Sequence, residues 1–181
     1  VATAEVVASY SVARRMLESS YLGVEALNRL IYPGSAKAAE HGLHHAVPRV
    51  RKVLLAATGI CIFAATALFV LAPVLPVIFG RDYISLVSFT RMLCWVVVPI
   101  GMWAVAMEAL GAAGRQAQRA LVMGLGSLVG AVVAGWATWY APPTGTFVSF
   151  YVIEIAMVIA GWTVFARTVR RDRTRADGRA G

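Results

Sequence analysis

"VLLAATGICIFAATALFVLAPVLPVIFG", Val53 to Gly80, contains no charged residue. An apolar run of about 18 residues or more is long enough to cross a bilayer as a helix. A second run, Ala120 to Ile153, is equally free of charge. Around these runs the chain of 181 residues is 59% hydrophobic and 14% charged, with a mean hydropathy of +0.70. Soluble domains average about a quarter charged. The composition therefore predicts an all-α integral membrane protein, a bundle of transmembrane helices.

Working outward from Val53–Gly80, apolar stretches and punctuation predict five spans, at about 4–32, 53–71, 86–110, 120–140 and 147–169. "YPGS" stops the first, and Pro73 and Pro76 loosen the end of the second. "IFGRDYIS", "GAAGRQAQR" and "APPTG" read as the turns that follow. The polar connection "SAKAAEHGLHHAVPRVRK" has room for a short surface helix, and residues 170–181 read as a frayed basic tail. No internal repeat is visible.

The net charge of +8 would suggest nucleic acid in a soluble chain, but no basic stripe has interleaved aromatics. The charges instead follow the positive-inside pattern. Lys37, Arg49, Arg51 and Lys52 follow the first span, Arg115 and Arg119 the third, and Arg170, Arg171, Arg173, Arg175 and Arg179 the fifth. The connection after the second span holds Arg81 beside Asp82, and the one after the fourth holds no charge. This alternation predicts an external N-terminus and a cytoplasmic tail. An external start before a first span implies further helices upstream, so the chain reads as the C-terminal part of something longer.

The segment "SYSVARRMLESSYLGVEALNRLIYP", Ser9 to Pro33, breaks the pattern with five charges in a stretch of span length. A charge at the bilayer centre costs roughly 3 kcal/mol or more unless it faces a bundle interior or water. On a wheel of about 100° per residue, Glu18, Glu25 and Arg29 fall within roughly 60° of Arg14. Tyr10, Ser11, Tyr21, Asn28 and Tyr32 share that sector, and Arg15 stands about 100° from its centre. Such a wet face suits a helix lining a cavity. Interhelical polar packing and an amphipathic helix lying on the membrane surface are the alternatives. Arginine in a cavity suits phosphate or pyrophosphate, which guanidinium binds bidentately.

Four stretches in order carry a family resemblance: "ASYSVARRM" (Ala8–Met16), "LIYPGSAKAAEHG" (Leu30–Gly42), "APVLPVIFGRDYISLVSFTRML" (Ala72–Leu93) and "EALGAAGRQ" (Glu108–Gln116). Together they resemble the C-terminal half of oligosaccharide/polysaccharide flippases of the multidrug/oligosaccharidyl-lipid/polysaccharide (MOP) exporter superfamily. The resemblance implies a bacterial cytoplasmic-membrane transporter of two pseudo-equivalent lobes, which flips polyprenyl-pyrophosphate-linked oligosaccharide without hydrolysing ATP itself. It also implies a cavity arginine early in the first span, where Arg15 aligns more naturally and the wheel favours Arg14. The N-terminal lobe is not in the chain, so the partners implied are that lobe or a second copy, with lipid-linked oligosaccharide and membrane lipids.

The candidate substrate-binding residues are thus Arg14, Arg15, Glu18, Tyr21, Glu25, Asn28 and Arg29, with Arg91 added as either a cavity residue or a snorkelling one. Glu154, inside the fifth span, is the coupling-ion candidate, weighed against a hydrogen-bonded packing residue. Glu108 reads as interfacial. Gly126 and Gly130 form GxxxG, suited to close packing within the chain or to dimerisation. Trp136, Trp139 and Tyr140 read as an aromatic belt. His41 and His45 have helical spacing but too few companions for zinc. Cys61 and Cys94 read as small hydrophobes. No nucleophile, base and orienter cluster points to an enzyme, and no cofactor is implied. The rival readings are a drug/cation antiporter of the same superfamily, which calls for acidic cavity residues, and a non-transporting membrane scaffold.

Overall fold

The computed structural model describes residues 11, 12, 14, 15, 19, 22, 43–80, 84–141 and 144–180, with the side chains of 44, 84 and 175–180 excepted. Among these the secondary structure is helical throughout. The elements are α1 (Leu43–Leu71), α2 (Leu75–Phe79), α3 (Ile84–Leu93), α4 (Val97–Ala112), α5 (Gln116–Tyr140) and α6 (Thr144–Ala180). Four continuous stretches are long and apolar enough to cross a membrane: His45–Phe79, Ser85–Ala112, Gln116–Tyr140 and Thr144–Thr174. Five were expected. The expected span 4–32 lies outside the described residues except for scattered positions.

α1 starts at Leu43, nearly three turns before the predicted boundary of its span at Val53. The reason is visible in its buried face: Leu43, Ala46, Val50, Val53, Ala57, Cys61 and Ala65 recur at three- and four-residue spacing. The stripe begins within the polar connection, while His45, Arg49, Arg51 and Lys52 point outward. The second half of that connection is therefore the first turns of the long helix. Alanine and cysteine at the middle of the stripe let α4 approach closely.

Prolines divide two of the long helices. Pro73 and Pro76 each lack the N–H that would continue the ladder, and a 3₁₀ turn at Ala72–Val74 joins α1 to α2. Pro99 cannot donate to the carbonyl of Trp95, and a 3₁₀ turn at Cys94–Val96 separates α3 from α4. The turns that follow α2 and α4 use glycine where φ is positive, Gly80 at 106° and Gly114 at 71°.

α4 is apolar around its circumference and lies at the centre, between α1 and α6, with α5 outside α6. The most apolar stretch of Ser85–Ala112 is 61% buried, against 11–17% for the other three. The outer helices consequently expose large apolar side chains, among them Phe63, Val77, Leu128 and Trp139. α6 runs on to Ala180 as one helix, so the tail expected to fray from residue 170 is its continuation.

Candidate functional site

A cleft of about 620 Å³ opens where the proline-divided end of α1–α2 meets the N-terminal segment. Its α1–α2 wall is aliphatic and aromatic, including Leu68, Leu71, Leu75 and Phe79. The facing wall is Val12, Arg15 and Ser19, spaced three and four apart and so on one helical face. The Ser19 hydroxyl donates to the Arg15 carbonyl at 2.9 Å, which leaves the Arg15 guanidinium as the charged group of the described lining. Arg14 is exposed and is not among the lining residues. Glu18, Tyr21, Glu25, Asn28 and Arg29 lie outside the described residues.

The remaining candidates stand apart from this cleft. Arg91 holds its guanidinium 5.0 Å from the centre of the Phe69 ring, joining α3 to α1 by a cation–π contact. Glu154 is part-buried on α6 and accepts a hydrogen bond from Trp103 Nε1 of α4 at 2.6 Å. Trp103 was not among the predicted residues. Its signal in the sequence is an indole placed mid-span rather than at an interface, since a buried indole N–H demands an acceptor.

The Trp103–Glu154 bond belongs to a series along one face of α6. The Tyr151 hydroxyl donates to the Met92 carbonyl, just before the 3₁₀ break. Trp162 Nε1 donates to the Met102 carbonyl at 3.1 Å. Residues 151, 154 and 162 fall within an arc of roughly 80° on α6, so the three bonds fix its rotation against α3–α4.

At the opposite end of α4 the acids and bases are paired. Arg119 donates to Glu108 Oε1 at 2.8 Å, and Arg115 to Asp172 Oδ1 at 2.9 Å. Glu108 was expected to be interfacial and Arg115 and Arg119 to be loop charges. Arg119 instead lies within α5, and both arginines tie neighbouring helices together. Thr168 also donates to Gln118 Oε1 at 3.1 Å. The glycines of GxxxG serve packing within the chain: a Cβ on Gly126 would meet Met157 Sδ at 2.1 Å, and one on Gly130 would meet Ile153 Cγ2 at 3.2 Å.

Cys61 and Cys94 are buried and unpaired as a disulfide. Among the described residues no group of three or more His, Cys, Asp or Glu side chains is placed to hold a metal ion. No protein-family model, curated protein or solved structure matches the chain.

Proposed function

We propose that the chain is one lobe of a membrane flippase, moving polyprenyl-pyrophosphate-linked oligosaccharide across the bacterial cytoplasmic membrane by alternating access. The observation that carries this reading is the cleft at Arg15, where one guanidinium faces an otherwise apolar wall. A lipid diphosphate has the same division, an anionic head on a hydrocarbon chain. The exposed apolar surface of the four long helices suits a bilayer, which would cover it.

In this reading Arg15 binds the diphosphate through its fork of N–H donors, and Arg14 adds charge at the entrance. The aliphatic face of α1–α2 lies along the first prenyl units. The polar stripe of Glu18, Tyr21, Glu25, Asn28 and Arg29 keeps the sugars hydrated. Arg91 steadies the α1–α3 wall through Phe69, and Glu154, held by Trp103, takes and releases the coupling proton or cation. A second lobe closes the cavity, and rocking of the two lobes exposes it to each side in turn.

The test is transport of a lipid-linked oligosaccharide in proteoliposomes holding the full-length protein. Arg15→Gln is expected to abolish transport while the protein still inserts, Arg15→Lys to restore part of it, and Arg14→Gln to reduce it less. Unchanged transport in Arg15→Gln would remove the pyrophosphate role.

A further inference from the structure

α5 and α6 enclose a second, wholly different recess, an apolar groove of about 350 Å³. Met157 and Ile153 of α6 lie over Gly126 and Gly130, which brings the two helices close, and the groove runs beside this contact between Leu121, Leu125 and Val129 of α5 and the small exposed Ala156 and Ala160 of α6. Ile153 and Val164 mark its ends on α6, which sets a length of roughly 16 Å at 1.5 Å per residue. That is about the hydrocarbon depth of one leaflet, half of a core about 30 Å thick.

The face of α6 that lines the groove continues beyond Val164 to Arg167 and Arg171. By helical register both stand within roughly 60° of Val164, one and two turns further along. Both are exposed, and neither has an acidic partner among the described residues. The nearby Asp172 is already engaged by Arg115 on the other side of the helix. Two like charges one turn apart repel each other, so an anion placed between them is stabilised.

We propose that this groove is a binding site for an anionic phospholipid, its acyl chain along Leu125, Val129, Ala156 and Ala160 and its phosphate on Arg167 and Arg171. The groove length and the pair of arginines at its end select this occupant over a second copy of the chain, which would offer no anion there by necessity. Basic pockets between helix ends are a known way to hold such head groups. The site depends on a membrane setting but not on the flippase reading, and lies on different helices from the Arg15 cleft.

The full chain in phosphatidylcholine nanodiscs, doped with spin-labelled phosphatidylglycerol or spin-labelled phosphatidylcholine, provides the test. The motionally restricted fraction of each label is read by electron paramagnetic resonance. Restriction is expected to favour phosphatidylglycerol, and the preference to fall by roughly fivefold for each arginine replaced, in Arg167→Gln and Arg171→Gln. The double Lys variant should keep the preference, and Ala160→Phe, which fills the groove, should release both labels. Equal restriction of the two lipids in the wild type overturns the proposal, as does a preference that survives the double Gln substitution. Cross-linking of two chains through Ala160→Cys in the bilayer would assign the groove to a second copy instead. None of these outcomes depends on oligosaccharide transport, so they separate this site from the proposed function.

Discussion

Trp103 on α4 and Glu154 on α6 are joined by a hydrogen bond of 2.6 Å from the indole Nε1 to the carboxyl Oε2. It links the central helix to its neighbour within two apolar stretches, with the pair partly buried between the helices. Trp103→Phe removes the donor and leaves the carboxyl short of a partner, a loss of about 1–3 kcal/mol. Glu154→Gln keeps an acceptor for the indole and is expected to cost less. Thermal unfolding in detergent measures both, and an unchanged midpoint for Trp103→Phe would show that the bond carries no weight.

The contact of Gly126 with Met157 predicts a specific pair of variants. Gly126→Ala places a methyl where Met157 Sδ now lies, so the methionine must move or the helices must part. Overpacking of this kind costs about 1–3 kcal/mol. Combining it with Met157→Ala should recover much of the loss, because the obstructing sulfur is gone. Gly130→Ala, whose new Cβ would stand 3.2 Å from Ile153, is expected to be the milder single variant. Additive losses in the Gly126/Met157 pair would contradict this packing.

The pairs Arg119–Glu108 and Arg115–Asp172 are only partly shielded from solvent, with side-chain exposures of 27% and 32% in the first and 35% and 15% in the second. Double-mutant cycles to Ala are therefore expected to give couplings of about 0.2–1 kcal/mol for each pair. The couplings should shrink as salt is raised. A coupling near zero at low salt would mean that these ends are held by other contacts.

Thr90 on α3 is 2% exposed, and its hydroxyl has no hydrogen-bond partner among the described residues. Replacing a buried unsatisfied hydroxyl by a methyl is expected to stabilise, by about 1 kcal/mol. Thr90→Val should raise the unfolding midpoint and Thr90→Ser should lower it. The reverse order would reveal a partner for the hydroxyl.

Several features of the site needed more than linear pattern. The stretch Leu43–Lys52 looks like a polar connection because histidines, Pro48 and three basic residues interrupt its apolar ones, yet Leu43, Ala46 and Val50 sit on the stripe that α4 covers. Arg115 and Arg119 read as loop charges until the fold supplies Asp172 and Glu108 beside them. Arg15 and Arg14 are adjacent in sequence, and only the position of the α1–α2 wall distinguishes the one that lines the cleft.

The order of apolar runs, glycines and prolines pointed by itself to long apolar helices and to where they turn, and four of the five expected spans are helices of membrane-crossing length and composition among the described residues. These are local properties: hydrophobic run length, the missing N–H of proline and the positive φ open to glycine act within a few residues. Tertiary structure alone decided that α4 is central, that Glu154 meets Trp103, that Gly126 and Gly130 face α6, and that Arg91 rests on Phe69 rather than in the cleft. Each of these depends on the rotation of one helix against another. In a chain whose helices are apolar on nearly every side, the hydrophobic pattern no longer specifies that rotation, and a few hydrogen bonds and close-packed small residues set it.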